Sequence, residues 1–549
     1  MRKLLAAALT LTGVSLLPAS PHQSTVAAQA APLKLTVLIV VDQMRADYVD
    51  RFRANWSGGL KRMVGDGAWF SRAAYPYLAT ITCAGHATIA TGAYPRTHGI
   101  VQNAWWDRDT GKQVACTDDD QATAVSYGAP IAGNGDSARR LLVPTLADQL
   151  RQSRGARVVS LSLKARSAIM LAGHGGDAVT WLSDSLDRWE TSSAFAPAAL
   201  PQVQTFVAAH AIDADFGAIW TPLLAQGRYR EADDATGETP PRGWTRTFPH
   251  PLAANSPAPD AAYRVRWERS PFADEYVGAF AADLVRSFAL GQRDATDLLA
   301  VSFSSPDLVG HAYGPRSLEV HDMLVRLDRT LGALLDRLDA LVGRGNYVVG
   351  LTADHGVTPI PAQLQSAGLD AGRLDAVAIS ALIEDQANTR AGAGKYVARV
   401  NGNDVYFAPG MYARLAQSPG ALEAIITALT ATPGIGRVFR GEELLTGASS
   451  PDVLLRAAAL SYLRGRSGDL VMAPRPGWMF SSVGTTHGSA TPDDQRVPVL
   501  LFGHGIKKGE YRQPASPADI APTLAAIAGV PLPQAEGRVL KEALVDSRN

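Results

Sequence analysis

Three short apolar runs, each followed closely by an acidic residue, constrain the fold of this chain more than any other feature. The runs and their acids are Leu35 to Val41 with Asp42, Leu298 to Phe303 with Asp307, and Tyr347 to Leu351 with Asp354. Continuous apolar runs of this length are typical of buried parallel strands. Ligands of an open α/β sheet collect at the carboxyl ends of its strands, so the sequence predicts an α/β protein whose three acids converge on one site.

Histidines accompany these acids in a pattern that suits metal binding. Asp354 is followed by His355, Asp307 is followed four residues later by His311, and His487 stands in the segment TTHGS. If a helical turn opens just before Asp307, the four-residue spacing puts Asp307 and His311 on one face. Carboxylate and imidazole are ligands that Zn²⁺ accepts. The set is large enough for two metal ions.

The stretch Ala79 to Asn103 holds a threonine, Thr82, in a turn-like run before a short helix predicted from His86 to Thr91. A hydroxyl at a helix N-terminus lies among unpaired backbone N–H groups, where a bound anion is stabilised. Taken alone, a threonine before a helix is better explained as a plain helix cap. The surrounding acids and histidines favour a role in a site.

The first thirty residues have the pattern of a secretory signal peptide. Arg2 and Lys3 precede an apolar run from Leu4 to Leu17, and small residues lead to a cleavage position before Ala31. The apolar run is too short for a transmembrane helix, and no cysteine follows the cleavage position to carry a lipid. We expect an exported protein, periplasmic or secreted, without a membrane anchor.

The charge balance and the two cysteines give information about binding partners and about the compartment of the protein. The chain has 52 Lys and Arg against 52 Asp and Glu, a balance without the basic footprint of a protein that binds nucleic acid or a membrane surface. Its two cysteines are Cys83 and Cys116. They either form one disulfide, which an oxidising compartment allows, or remain two buried thiols, because the sequence does not supply the distance between them.

The predicted ligands extend from Asp42 to His487, so we expect a single catalytic domain over residues 31–549, with insertions between the ligands. One insertion, at about 191–282, is rich in Pro, Trp and Arg. The other, at about 361–479, has a hairpin signal at Asn401-Gly402 and an apolar-periodic helix near Ala421 to Ala431. This second insertion is predicted to form a small α+β cap.

Six motifs in order carry a family resemblance: VVDQMR, ATITCAGHATIATGAYPRTHGIVQN, SLKARSAIMLAG, PDLVGHAYGP, TADHG and THGS. From about Leu35 to the C-terminal helix, the chain resembles the PafA-type bacterial phosphomonoesterases of the alkaline phosphatase superfamily, which use a threonine nucleophile and are related to nucleotide pyrophosphatase/phosphodiesterases. The resemblance implies an alkaline-phosphatase-like core with a mixed, mostly parallel sheet flanked by helices. It also implies two Zn²⁺ per chain, arranged for in-line phosphoryl displacement.

The resemblance also implies roles for individual residues. Asp307, His311 and His487 would hold one zinc, whereas Asp42, Asp354, His355 and the Thr82 hydroxyl would hold the other. Thr82 would be the nucleophile, because coordination to Zn²⁺ stabilises its alkoxide. Asn103, Lys164 and Arg166 would contact the non-bridging phosphate oxygens. The two-residue spacing would place Lys164 and Arg166 on one face of an extended segment, where they suit a dianionic monoester.

The leading hypothesis is therefore an exported, zinc-dependent alkaline phosphatase that hydrolyses small-molecule phosphate monoesters of broad range through a phosphothreonine on Thr82. We favour a monomer, although the sequence has no signature of oligomeric state. A nucleotide pyrophosphatase/phosphodiesterase with the same two-metal site is the main alternative. A sulfatase is disfavoured because neither Cys83 nor Cys116 begins a Cys-x-Pro-x-Arg pattern. A binding protein that holds phosphate without turnover is a third alternative.

Two other polar residues of the motifs receive supporting roles. His86 lies inside the Thr82 motif, and we expect it to make hydrogen bonds that stabilise the turn. Asp494 follows His487 and is predicted to contact a metal ligand without binding the metal itself.

Overall fold

The computed structural model describes residues 33–545, so the predicted signal peptide, residues 1–30, lies outside the described residues. Between residues 33 and 545, no helix combines the length and the apolar character needed to cross a bilayer. The centre of the molecule is an eleven-stranded sheet. Its strands, in spatial order, are Gly509–Tyr511, Ala68–Phe70, Val499–Gly503, Tyr347–Thr352, Leu35–Val41, Asp297–Phe303, Val158–Ser162, Ala178–Leu182, Trp189–Ser192, Asp118–Ser126 and Asn134–Asp136.

The middle of this sheet is parallel. Leu35–Val41 pairs with Asp297–Phe303 on one side and with Tyr347–Thr352 on the other, and Val158–Ser162 and Ala178–Leu182 continue the parallel order. Five of the ten pairings are parallel, and the antiparallel ones flank the middle. Every residue of the three strands predicted from the apolar runs is buried. The predicted α/β fold with a mixed central sheet is confirmed.

Helices cover both faces of the sheet, which explains why its central strands are mostly apolar on both faces rather than alternating. Leu35, Val37, Ile39 and Val41 face a core that includes side chains of Pro271–Ser287 and Leu318–Leu338, and the other face packs on Thr82–Thr91, Ala165–Ala172 and Ile520–Ala528. Further helices of eight or more residues in the described part are Gly59–Asp66, Leu146–Arg154, Pro201–Ala209, Ala261–Glu268, Ser305–Tyr313, Ala376–Ala391, Ala421–Ala431 and Val453–Ser461.

A second sheet lies within the segment predicted as a cap. Its four antiparallel strands, in spatial order, are Val397–Asn401, Asp404–Phe407, Leu470–Pro474 and Ile435–Arg440. Asn401 pairs with Asp404 across the predicted hairpin turn. Helices Ala376–Ala391 and Ala421–Ala431 share an apolar core with these strands. The segment is thus a small α+β unit, whereas the division into one catalytic domain with insertions at 191–282 and 361–479 stays a prediction.

The two cysteines form a disulfide. The Cα atoms of Cys83 and Cys116 are 6.7 Å apart, and both side chains are buried. Of the two alternatives that the sequence leaves open, the structure has the bonded one. The bond ties the beginning of the Thr82 helix to the segment that follows Asn103.

Candidate active site

Four neighbouring parallel strands bring their following residues to one edge of the sheet. In spatial order these residues are Asp354, Asp42, Asp307 and Lys164. The Lys164 Nζ atom lies 2.6 Å from Asp42 Oδ2 and 2.6 Å from Asp307 Oδ2. The three acids therefore converge as the apolar runs predict, because the carboxyl ends of parallel strands share an edge.

Thr82 is the first residue of its helix, which spans Thr82–Thr91 and begins four residues earlier than the predicted His86. The prediction missed this first turn because threonine and glycine are weak helix formers. Packing supports the turn instead: a Cβ atom on Gly85 would lie 2.2 Å from the Asp354 carbonyl oxygen, so only glycine lets the helix approach so closely. The Thr82 hydroxyl is buried, 3.3 Å from His355 Nε2.

A first group of candidate metal ligands comprises Asp307, His311 and His487. Helix Ser305–Tyr313 places Asp307 and His311 on one face, with His311 Nε2 3.1 Å from Asp307 Oδ1. His487 Nε2 lies 3.7 Å from the same oxygen. These three side chains are close enough together to hold one ion.

A second group surrounds His355. Its Nε2 atom is 3.2 Å from Asp354 Oδ2 and 3.5 Å from Asp42 Oδ1. Ligand atoms of Asp42, Asp307 and His355 also lie close enough together to hold an ion. Asp307 is therefore a neighbour of both groups, a feature that the sequence does not indicate.

Two carboxylate oxygens of the second group make no hydrogen bond within residues 33–545, which indicates whether the group suits a cation. Asp42 Oδ1 and Asp354 Oδ2 are buried without a hydrogen-bond partner among the described residues. The other Asp354 oxygen accepts the backbone N–H groups of Gln43 and His355, both at 3.1 Å. A buried, unpaired carboxylate oxygen is costly unless a cation or donor binds it. Asp42 Oδ1 and Asp354 Oδ2, without hydrogen bonds in the described part of the chain, lie 3.5 Å and 3.2 Å from His355 Nε2, so together with that nitrogen they fit a divalent ion.

The imidazoles are oriented in the way that metal ligands require. Their Nδ1 atoms face backbone carbonyls: His355 that of Gly356 at 3.0 Å, His311 that of Thr485 at 2.8 Å, and His487 that of Thr80 at 2.8 Å. A carbonyl oxygen only accepts, so each Nδ1 carries the hydrogen and each Nε2 is turned toward the carboxylates. Nitrogen and carboxylate ligands held by such outer hydrogen bonds suit Zn²⁺.

Electrostatics also favour bound cations. Burial, reinforced by the charges of Asp307 and Asp354, raises the pKa of Asp42 well above its usual value. Burial would raise the pKa of Asp307 too, but His311 and Lys164 outweigh it and hold that pKa well below the usual range. Burial lowers the pKa of His355, yet Asp354 and Asp42 more than compensate and raise it to about 9. A proton and a metal ion thus compete for the same Nε2 position.

Asn103, Lys164 and Arg166 line one cavity beside this cluster. Asn103 Oδ1 accepts the backbone N–H of Cys83 at 2.8 Å, so its side-chain NH₂ group remains available to a ligand. The predicted extended segment for Lys164 and Arg166 is wrong, because helix Ala165–Ala172 begins between them. Lys164 caps this helix with an extended backbone, Arg166 lies in its first turn, and both side chains nevertheless reach the same cavity.

The supporting residues make the contacts of a scaffold. His86 Nδ1 lies 2.8 Å from the Thr82 carbonyl oxygen and Nε2 lies 2.8 Å from Ser302 Oγ, which confirms its expected hydrogen bonds. Asp494 is buried and accepts from the N–H and hydroxyl of Ser489 and from the Thr358 hydroxyl. Asp494 therefore braces the loop after His487 through Ser489 and Thr358, and its expected supporting role beside the candidate metal ligands stays a prediction.

Sequence reasoning passed over Gln43. Its Nε2 atom donates to Asp307 Oδ1 at 2.6 Å, and its backbone N–H donates to Asp354 Oδ1. The signal available in the sequence was its position directly after Asp42 in VVDQMR. Nothing about a glutamine there indicates hydrogen bonds to acids that follow two other strands.

Comparisons with known proteins place this geometry in a family. The model of the family described as type I phosphodiesterase/nucleotide pyrophosphatase matches residues 36–493. Alkaline phosphatase PafA of Elizabethkingia meningoseptica is 31% identical over 93% of this chain and 94% of its own length. Alkaline phosphatase PhoV of Synechococcus elongatus is 31% identical over 93% of either chain. The crystal structure of wild-type PafA matches with a TM-score of 0.86 at 30% identity, covering 94% of this chain and 100% of its own. The chain therefore belongs to the type I phosphodiesterase/nucleotide pyrophosphatase family and, within it, to the PafA-type members of the alkaline phosphatase superfamily.

Proposed function

We propose that this chain is an exported, zinc-dependent alkaline phosphatase that hydrolyses small-molecule phosphate monoesters of broad range through Thr82. One observation carries the proposal. The Thr82 hydroxyl stands at a helix N-terminus, 3.3 Å from His355 Nε2 and beside the cluster of buried carboxylates and imidazoles. The alkaline phosphatases PafA and PhoV, to which the chain is similar over nearly its whole length, support the same conclusion.

Two zinc ions would be held by the ligand groups already described. Asp307, His311 and His487 would hold one, and Asp42, Asp354 and His355 would hold the other, with the Thr82 hydroxyl beside it. When bound, such a pair stabilises negative charge on the attacking and departing oxygens of an in-line displacement. The unpartnered oxygens of Asp42 and Asp354 and the orientation of the three imidazoles support this assignment.

The chain's own residues would carry out the chemistry in two displacements. Thr82 Oγ1 attacks phosphorus as the bond to the alcohol oxygen breaks, which forms phosphothreonine. Water then attacks the phosphorus, frees Thr82 and yields inorganic phosphate. Backbone N–H groups at the helix N-terminus and the free NH₂ group of Asn103 donate to the non-bridging oxygens. Phosphoryl transfer depends chiefly on such positioning and charge neutralisation.

Lys164 and Arg166 would select the monoester. The Lys164 ammonium has three donors, two of which face Asp42 and Asp307, so one remains for a phosphate oxygen. Arg166 Nε is buried without a hydrogen-bond partner among the described residues, and its guanidinium suits bidentate contact with phosphate. A diester has one negative oxygen fewer for this pair and needs room for a second substituent.

The second candidate, a nucleotide pyrophosphatase/phosphodiesterase, is favoured by the matching family model. The discriminating measurement is kcat/KM for an aryl phosphate monoester and the matching diester, on wild type and on Lys164→Ala/Arg166→Ala. We expect wild type to prefer the monoester by several orders of magnitude and the double variant to lose mainly monoester turnover. The exposed pair Lys508→Ala/Arg512→Ala, at the sheet edge, is the control and should change neither activity. Preference for the diester would instead assign the phosphodiesterase function.

The nucleophile and the metals have separate tests. In metal-replete protein, Thr82→Ala should abolish phosphothreonine formation and turnover, whereas Thr82→Ser keeps a hydroxyl and should keep measurable activity. Near-wild-type turnover by Thr82→Ala would remove Thr82 from its role. Chelation followed by addition of Zn²⁺, Mn²⁺ or Fe²⁺ identifies the ion that restores activity, and we expect Zn²⁺ at two per chain.

Export and a monomeric state complete the proposal. The signal pattern of residues 1–30 and the Cys83–Cys116 disulfide both support an oxidising compartment. Protein recovered from outside the cytoplasm should begin near Ala31 by N-terminal sequencing. Light scattering should give the mass of one mature chain.

A further inference from the structure

Gln43 occupies a backbone conformation that normally belongs to glycine. The Met44 N–H donates to the Val41 carbonyl at 3.2 Å, which closes a four-residue turn with Gln43 in its third position at a φ of +66°. A turn with positive φ at its third position favours glycine, because a residue with a Cβ atom is sterically strained in that conformation. Such strain persists where the surroundings hold the residue in place, and it clusters at functional sites.

The contacts of Gln43 join the two candidate metal groups. Its side-chain Nε2 donates to Asp307 Oδ1 at 2.6 Å, and its backbone N–H donates to Asp354 Oδ1 at 3.1 Å. Asp307 Oδ1 is also the oxygen that faces His311 Nε2 at 3.1 Å. One buried residue thus holds a carboxylate of each group, and the two carboxylates follow different strands.

Gly310 leaves no space around this side chain. A Cβ atom at Gly310 would lie 1.8 Å from Gln43 Oε1 and 3.0 Å from its Cδ. Gly310 lies between Asp307 and His311 on the helix that carries both ligands. The amide of Gln43 is therefore clamped between the ligand helix and the carboxylate that it donates to.

We propose that Gln43 is a positioning residue for the metal centre, whose amide fixes the orientation of the Asp307 carboxylate toward His311 and His487. The inference rests on the two-metal site of the proposed function. A hydrogen bond to one carboxylate oxygen restricts the orientation of the carboxylate before the ion binds, so less conformational entropy is lost on binding. Removal of such a hydrogen-bond partner weakens metal affinity by about 10- to 100-fold.

Gln43→Gly separates this role from a purely structural one. A structural role predicts that the variant unfolds more easily. Under the proposal, the metal-free variant unfolds at a temperature close to that of wild type, because relief of the positive φ offsets the loss of the buried side chain and its hydrogen bond. Its Zn²⁺ release to a colorimetric chelator should show one phase accelerated by about 10- to 100-fold. The other phase should stay within about threefold of wild type, because the backbone N–H that holds Asp354 remains.

Two further variants complete the experiment. Gly310→Ala displaces the Gln43 amide without changing residue 43 and should accelerate the same phase of Zn²⁺ release. Ala289→Gly is the matched control: Ala289 also has a positive φ, +48°, and precedes the amino end of strand Asp297–Phe303, at the edge of the sheet opposite the site. Its Zn²⁺ release should equal that of wild type.

The outcomes distinguish this inference from the proposed function. If wild type binds two Zn²⁺ and hydrolyses monoesters while Gln43→Gly releases both ions at wild-type rates, the positioning role is overturned and the function stands. Equal acceleration of both phases together with a lower unfolding temperature also overturns it, in favour of a structural role. A wild-type protein that binds no Zn²⁺ overturns the proposed function and this inference with it.

Discussion

Reduction of the Cys83–Cys116 disulfide tests how the helix Thr82–Thr91 is anchored. The bond closes a loop across a sequence separation of 33 residues. In the chain-entropy treatment, a loop of this length restricts the unfolded state by about 12.5 cal/mol/K, or about 3.7 kcal/mol at 25 °C. We therefore expect the free energy of unfolding to be about 3 to 4 kcal/mol higher for the oxidised than for the reduced wild-type protein.

The disulfide should also affect activity, because Asn103 is hydrogen-bonded to the backbone of both cysteines. The Asn103 side chain accepts from Cys83 N–H at 2.8 Å, and its backbone carbonyl accepts from Cys116 N–H at 2.9 Å. Under the proposed function, Asn103→Ala would remove a donor to the phosphate and should lower kcat/KM by about 10²- to 10³-fold. Reduction keeps both hydrogen bonds and loosens only their support, so the folded, reduced protein should lose far less activity than Asn103→Ala.

The assay is urea unfolding of oxidised and reduced protein, followed by tryptophan fluorescence, with thiols counted in the unfolded state. Cys83→Ala/Cys116→Ala is the control, since reductant should not shift its unfolding. Two free thiols in oxidised protein, or a difference below about 1 kcal/mol, would refute the reasoning from loop closure. If reduction lowered the activity as much as Asn103→Ala does, the prediction that the disulfide matters less for activity than the Asn103 side chain would be refuted.

Three other perturbations have defined signs. A glycine-to-alanine change usually stabilises a helix, but Gly85→Ala should lower the free energy of unfolding by about 1 to 3 kcal/mol, because the new Cβ atom would collide with the Asp354 carbonyl. Gly65→Ala is the control: it has open space around it and should not lower the free energy of unfolding. The Asp328 carboxylate accepts hydrogen bonds from four backbone N–H groups of residues 57–61. Asp328→Asn should therefore lower the free energy of unfolding, measured by chemical denaturation, by about 2 to 4 kcal/mol. A decrease below about 0.5 kcal/mol would contradict this prediction. Burial raises the pKa of Asp274 to about 7, so the native state retains a proton that the unfolded state loses, and this group's contribution to stability falls between about pH 4 and pH 7. Asp274→Asn should therefore be more stable relative to wild type at pH 8 than at pH 5, and a pH-independent difference would contradict the assignment.

Local patterns were sufficient where one element decides its own structure. The apolar runs identify the central strands because strands covered by helices on both faces are apolar at nearly every position. The helix Ala421–Ala431 has the predicted bounds, since its periodic apolar face coincides with the face that packs on the cap sheet. The hairpin at Asn401-Gly402 follows from turn chemistry that involves only neighbouring residues.

Local patterns failed where a distant segment supports the backbone. The Thr82 helix begins before His86 because Gly85 packs on the segment that carries Asp354, and no propensity contains that contact. Helix Ala165–Ala172 begins at the residue after Lys164, so an argument from strand periodicity could not describe Arg166.

Residue patterns alone establish the α/β class and, through the ordered motifs, the types of side chain that gather near the strand ends. Asp42, Asp307 and Asp354 could be placed at a common edge because parallel strands point their carboxyl ends in one direction. The atoms that face each other are seen only in the folded chain. Asp42 Oδ1 and Asp354 Oδ2 make no hydrogen bond to any described residue, Asp307 adjoins both groups of candidate metal ligands, and Gln43 donates to two carboxylates. Hydrogen-bond geometry depends on side-chain orientations set by packing between segments hundreds of residues apart, whereas apolar periodicity is set within a single strand or helix.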